Sequence, residues 1–364
     1  MEIKADKSIL LKELAIAAKY RKKDGGAYTY FEATEDGLIV KSTNDEVYYT
    51  NILPLQVVGE EDLETVHEII KPGVVAITSK IEEVLRKVPG KTITLKAENE
   101  KVSISADGFK ANVATIEVDF KEAPSDTAGE AISSPMAFFK NIVQRTGFAY
   151  STSESRPALK GLNIKSVDGT FHAVTTDTHR LAYYSEESTI QFGEITVPAK
   201  AFTSILDEFN DDEKLNMVSL KSYVKLSQDE RIVYIQLLDG NYPDTTNLVK
   251  IDPNSNKITI ESKAFLDAID RALLFAKQDQ KKNVSIVQME QVDEGLRVFS
   301  KNAEGEIDTV IAIKSQSAKL EGNLAYQGAF LQDAIRAHGQ KEVTLNVIDN
   351  NRPMYITSET DGVT

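Results

Sequence analysis

One local pattern recurs six times along the chain: the end of a strand, a small or polar residue, then an amphipathic helix. The copies begin at Ile3, Ile77, Ile132, Val197, Ile260 and Leu324, at spacings of 74, 55, 65, 63 and 64 residues. The pattern predicts helices over 7–23, 79–91, 134–146, 198–210, 262–282 and 326–341. Ser79, Ser134 and Ser262, with Pro135 and Pro198, stand near the starts, where unpaired N–H groups favour such residues. Behind them apolar residues fall at helical spacing, as in Phe202, Ile205, Leu206 and Phe209 or Phe265, Ala268, Ile269 and Ala272. Between the helices, 92–96, 101–105 and 257–260 alternate with period two, and Asp-Gly pairs at 107–108, 168–169 and 239–240 bound strands. The unit is therefore one helix plus about four strands. So small a unit buries its sheet poorly alone, which favours pairing units into domains. Turn-rich, apolar-poor stretches at 121–129 and 251–256 fall near each third of the chain. The expected architecture is α+β: three repeated domains, 1–122, 130–250 and 257–364, each with two helices on antiparallel sheets. A single larger α+β domain with coincident spacing is the competing reading.

The chain has 364 residues and no Cys, which removes disulfide frameworks, zinc ribbons and cysteine nucleophiles together. No apolar run approaches the roughly 18 residues of a membrane span, and Met1–Lys7 lacks the apolar core of a secretion signal. A cytoplasmic protein without membrane contact is expected. The net charge of −14 argues at first against a polyanionic partner. Its distribution argues otherwise. The six expected helices carry +11 and the remainder −25, with Lys7, Lys12, Lys19, Arg21, Lys22 and Lys23 against Glu13 alone in the first. Either the helices carry ordinary solvated cations, or they share one surface that binds phosphates without regard to base sequence. The fourth helix, at −1 with Asp207 and Glu208, fits the second reading poorly.

Catalytic signatures are sparse. Gly90-Lys91-Thr92 ends like a phosphate loop, but Leu85 stands where the first glycine is required. No metal-ligand spacing or nucleophile elbow occurs, so neither metal nor cofactor is implied. His67, His172 and His338 are isolated. Thr175–Leu181 offers a carboxylate, Asp177, and a base, His179, without a nucleophile beside them. An ordered polar loop is the expected role of that segment.

Three segments carry a resemblance: Arg156-Pro157-Ala158-Leu159-Lys160-Gly161-Leu162, Thr176-Asp177-Thr178-His179-Arg180-Leu181-Ala182, and Leu238-Asp239-Gly240-Asn241-Tyr242-Pro243-Asp244-Thr245-Thr246. They resemble the middle-domain signatures of the bacterial replicative sliding clamp, the β subunit of DNA polymerase III, in its low-GC Gram-positive branch. Length, six-helix repeat and linker positions extend the resemblance over essentially the whole chain. It implies a non-enzymatic processivity factor whose three domains per subunit join head-to-tail as a homodimeric ring around double-stranded DNA. By resemblance, Lys12, Lys19, Arg21, Lys80, Arg86, Lys140, Arg145, Lys200, Lys263 and Arg271 sit on inward helices. Thr152, Ser153 and Arg156 match a loop that touches DNA near the pore.

The resemblance also implies a pocket for short peptide motifs of the replicative polymerase, the clamp loader and repair proteins. Its matching positions are Arg156, Leu159, Thr176, Thr178, His179, Arg180, Leu181, Pro243, Asn247 and Leu248. Asn247 stands where an Arg is common, which should alter the rim electrostatics. The family ends with an apolar strand and a Pro-x-Arg-like tail, whereas this sequence ends at Asp361-Gly362-Val363-Thr364, so weakened peptide affinity is expected. The ring interface would pair Ala111 and Val113 on an edge strand with Leu274 and Phe275 of the partner, and the small Ala111 predicts a weak dimer. A clamp-like scaffold that docks peptides without encircling DNA is the alternative, and an enzyme built on Asp177 and His179 the third.

Overall fold

A computed structural model of the chain describes residues 1–22, 27–58, 63–117, 119–124, 129–188, 191–279 and 284–358. The expected terminal segment 361–364 and the first-helix cation Lys23 lie outside them. Six α-helices are present among the described residues: α1 Lys7–Ala17, α2 Ser79–Lys87, α3 Met136–Thr146, α4 Ala199–Leu206, α5 Ser262–Leu273 and α6 Gly328–His338. None is long and apolar enough to cross a membrane.

All six stand where the repeat places them, and most are shorter than expected for identifiable reasons. α2 stops because Val88 precedes Pro89 and takes an extended conformation, ψ 131°. α6 stops because Gly339 adopts the left-handed conformation, φ 61°. The expected extension of α5 to 282 is wrong, since residues 277–279 form a strand. The expected capping also needs correction. Ser79 and Ser262 are the first residues of α2 and α5, and the cap positions before them, Thr78 and Glu261, make no capping bond, nor does Gln327 before α6. Asp6 caps α1, accepting from the backbone N–H of Ser8 at 2.8 Å and Ile9 at 3.1 Å.

Shorter helices carry less charge. Within the observed bounds there are eleven basic and six acidic side chains, a net of +5 instead of +11. Asp207 and Glu208 fall beyond the end of α4. Glu208 pairs with Lys19, and its carbonyl accepts from the Arg231 guanidinium. The acidic residues that broke the pattern thus belong to a structural joint.

The chain forms two compact units. The first comprises 1–136 and 204–237. It holds a five-stranded antiparallel sheet in the order Phe109–Ala114, Lys101–Ala106, Thr92–Glu98, Glu2–Asp6, His67–Lys71. Beside it runs an eight-stranded sheet: Glu130–Pro135, Lys214–Ser219, Tyr223–Gln228, Arg231–Gln236, Val47–Leu53, Leu38–Thr43, Tyr28–Ala33, Gly73–Thr78. Hydrogen bonding of Arg231–Gln236 to Val47–Leu53, with Tyr234 opposite Tyr48, makes this sheet continuous across the linker at 121–129. Compactness therefore cuts the 130–250 stretch, because sheet continuity outranks chain continuity. Leu10, Leu14, Ile81 and Leu85 of α1 and α2 are fully buried, as are Phe31, Leu38, Val40 and Tyr49 of the sheet. Burying each such side chain stabilises the fold by about 1.5–3 kcal/mol.

The second unit comprises 137–203 and 238–364. One four-stranded sheet runs Leu181–Glu187, Thr170–Thr176, Gly161–Val167, Ile195–Pro198, and a second runs Ile313–Gln316, Asn256–Glu261, Glu342–Val347, Tyr355–Thr357. A five-stranded sheet is built on 284–301, with Asn323–Gln327 added to Val284–Val292. The Asp168-Gly169 turn joins 161–167 to 170–176 with both residues at positive φ, 50° and 75°. That is the two-residue hairpin geometry for which such a pair is suited. The periodic residues of α5, namely Phe265, Ala268, Ile269 and Ala272, are all buried in one cluster with Ile258, Ile260, Val343 and Leu345.

Candidate functional site

The second unit contains a cavity of about 480 Å³ lined by residues from four stretches of the chain. Leu159, Thr176, Thr178, His179, Arg180 and Leu181 form one side with Phe148. Pro243, Thr245, Leu248 and Val249 form a second. Tyr326, Phe330, Leu331, Ala334, Ala337 and His338 supply a third, and Pro353, Met354, Tyr355 and Ile356 the fourth. Nine of the ten residues expected to meet here line it, Arg156 included. Asn247 does not; it is exposed, and its side-chain oxygen accepts from Lys250 at 3.4 Å.

The loop at 176–181 is shaped by Asp177. One carboxylate oxygen accepts from the N–H of His179 at 2.9 Å and of Arg180 at 3.0 Å, and the other from Arg180 Nε at 3.0 Å. Asp177 is thereby committed to turning the chain and not to acid–base work. Thr176 Oγ1 donates to the Arg180 carbonyl at 2.7 Å, and Thr178 is held at φ 79°, an uncommon place for a β-branched residue.

Arg180 is a brace. Its guanidinium lies 4.2 Å from the Phe330 ring centre and 5.5 Å from that of Phe148. It donates to Asp177 and, at 2.6 Å, to Asp333 of α6. Those donors fasten the loop to the helix. Arg156, by contrast, is exposed at the mouth and forms no ion pair among the described residues. The cavity therefore offers an apolar interior with a free cation at its edge. Burial first, then the Asp349 carboxylate, hold the Tyr326 phenol above the usual tyrosine range, so it stays neutral.

Sequence reasoning missed the α6 wall, although Phe330, Ala334, Ala337 and His338 repeat at helical spacing and so share a face. It also misplaced Arg145, expected on a DNA-facing helix surface. Arg145 lines the cavity and donates to the carbonyl of His338.

The other expected DNA contacts divide by environment. Arg21 is 8% exposed and bonded to Thr29 and Glu82, which removes it from any surface role. Lys19, Lys80 and Lys263 pair with Glu208, Glu83 and Asp267. Lys140 is half-buried. Lys12, Arg86, Lys200 and Arg271 are exposed without ion pairs among the described residues, and Thr152 and Ser153 lie on an exposed loop. Ala111 and Val113, half-buried, stand on Phe109–Ala114 at the end of its sheet. Leu274 is 71% exposed just past α5, while the Phe275 ring packs against Gly305, where an added Cβ would come within 2.9 Å.

Comparison with known proteins bears on what this arrangement serves. Residues 134–244 match the family described as DNA polymerase III beta subunit, central domain. The beta sliding clamp of Bacillus subtilis (strain 168) is 26% identical over 338 residues, covering 90% of this chain and 87% of that protein. The beta sliding clamp of Staphylococcus epidermidis is 27% identical over 338 residues, covering 91% and 87%. The crystal structure of the DNA polymerase sliding clamp from Bacillus subtilis superposes with a TM-score of 0.91 at 23% identity, covering 100% of this chain and 97% of that one. The chain is similar to the bacterial beta sliding clamps. A DNA polymerase III beta chain from Streptococcus pneumoniae has a TM-score of 0.89 at 20% identity, over 100% and 97%. The match to the clamp fold thus runs through all six helices, beyond the 134–244 segment.

Proposed function

We propose that this chain is a DNA sliding clamp, a non-catalytic cytoplasmic factor that encircles duplex DNA and tethers a replicative polymerase and other partners. The observation that carries the reading is an extended similarity: 26% identity to a beta sliding clamp over 90% of the chain, with six helices among the described residues. In this reading 1–122, 130–250 and 257–364 act as three clamp domains. Two copies close head-to-tail through the Phe109–Ala114 edge and the surface around Leu274.

The electrostatics suit sliding. Lys12, Arg86, Lys200 and Arg271 reach phosphates without reading bases, so the attraction is nearly uniform along the duplex and leaves the protein free to move. Closure of the ring, and not contact strength, keeps it on DNA. The surplus of acidic residues outside the helices repels DNA from the remaining surface. The cavity serves as the docking site: apolar anchors of a short peptide enter between Phe330 and the 353–356 wall, and Arg156 meets an acidic residue at the rim.

The test is processive synthesis on a primed single-stranded circle, using polymerase and clamp loader from the same cell. Addition of the chain should lengthen the product of a single binding event. Unchanged product length would contradict the reading.

A further inference from the structure

We propose that His338 is the positioning residue that holds the last strand, Tyr355–Thr357, as a wall of the cavity and so sets the space into which a partner peptide docks; this rests on the docking role given to the cavity above. The strand is short. Among the described residues it lies at the end of its sheet and pairs only with Glu342–Val347, through Thr357 opposite Thr344, Ile356 opposite Leu345 and Tyr355 opposite Asn346. Three-residue edge strands open readily, yet this one and the residues just before it supply Met354, Tyr355 and Ile356 to the cavity.

His338 closes that weakness. It is the last residue of α6 and only 5% exposed. Nε2 lies 2.9 Å from the Ile356 carbonyl, and Nδ1 lies 3.2 Å from the Ser358 hydroxyl. A carbonyl can only accept, so Nε2 carries a proton, and in the neutral ring Nδ1 then accepts from Ser358. One ring thereby grips the strand and the residue after it. Asn346 adds a bond to Thr357 Oγ1 at 3.1 Å from within the sheet, but His338 links the strand to a helix.

That helix end is fixed in turn. Arg145 of α3 donates to the His338 carbonyl, and the next residue of α3, Thr146, offers its carbonyl to Thr175 Oγ1 on the strand leading into the 176–181 loop. A bonded path therefore runs from one cavity wall to another, and the imidazole is the member of that path that bonds to Ile356. A leucine of similar bulk would fill the space without bonding. A glutamine could reproduce both bonds, its amide N–H donating to Ile356 and its carbonyl accepting from Ser358.

The test uses the full chain and a fluorescein-labelled eight-residue peptide with two leucines, one phenylalanine and one aspartate, read by anisotropy. Amide hydrogen exchange at 355–357 is measured alongside. His338→Leu should weaken binding about tenfold, the loss expected from two modest hydrogen bonds, and speed exchange at 355–357, with exchange in the first unit unchanged. His338→Gln should restore both to within about threefold. Wild-type affinity in His338→Leu, or failure of His338→Gln to restore it, would overturn the inference. Failure of the wild-type chain to bind the probe would remove the docking role instead, while unaltered exchange in His338→Leu would remove the fastening on its own.

Discussion

Glu13 is the residue whose loss should cost the first unit most. It sits on α1 with 3% exposure, and its carboxylate accepts from Tyr49 Oη at 2.6 Å, Asn51 Nδ2 at 2.9 Å and Arg231 Nη2 at 3.4 Å. Tyr49 and Asn51 belong to one repeat and Arg231 to another, so Glu13 locks the joint at which the eight-stranded sheet crosses between them. Burial, then the neighbouring carboxylate, push the Tyr49 phenol far above its usual range, so it remains a donor at any ordinary pH. Glu13→Leu strands two buried donors at about 1–3 kcal/mol each. The Arg231 side chain, 21% exposed, is partly rescued by water. The total expected is about 3–5 kcal/mol, the usual result of breaking one side of a buried charge network. Glu13→Gln keeps one acceptor but turns an amide donor toward another donor, for about 2 kcal/mol. Urea unfolding can be followed by tyrosine emission, since the chain has 13 Tyr and no Trp. A loss below about 1 kcal/mol in Glu13→Leu would refute the reasoning. So would strict additivity with Tyr49→Phe, because residues in one network must couple.

Relief of the left-handed backbone at Thr178 by Thr178→Gly should raise stability by about 0.5–1 kcal/mol, read as a higher urea midpoint. His67 is buried, its Nδ1 2.9 Å from the Pro54 carbonyl and its Nε2 unpartnered among the described residues, and burial holds its pKa below the usual value. The neutral ring's contribution is therefore complete above the unfolded value of about 6.5 and is lost as pH falls below it. His67→Gln should flatten stability between pH 7.5 and 5, and an unchanged slope would contradict that assignment. Replacing Lys12, Arg86, Lys200 or Arg271 by Gln should each lower the salt slope of DNA association by about 1, whereas Lys80 and Lys263, already paired on their own helices, should matter less.

The α+β fold and the six helices were legible because apolar period and strand alternation are local, as Phe265, Ala268, Ile269 and Ala272 illustrate. Residues 156–181 and 243–248 were legible as a group through their motifs. Three features were not. The pairing of Arg231–Gln236 with Val47–Leu53 joins residues some 180 positions apart, and nothing local encodes it. The availability of a cation depends on its neighbours: Arg21 and Arg145 read as surface charges but are spent on Glu82 and on the His338 carbonyl. Counting charges over overlong helices overstated the basic layer for the same reason, since Lys19, Lys22 and Lys91 lie past the true helix ends. The net charge of −14 describes the average surface and conceals where the free cations stand.

The central claim is topological, and one measurement addresses it directly. The chain is loaded by a matched clamp loader onto nicked circular plasmid, the unbound protein is removed by gel filtration, and half the sample is linearised. Retention on the circle with loss from the linear form is the predicted result. Equal retention on both, or on neither, would contradict an encircling clamp.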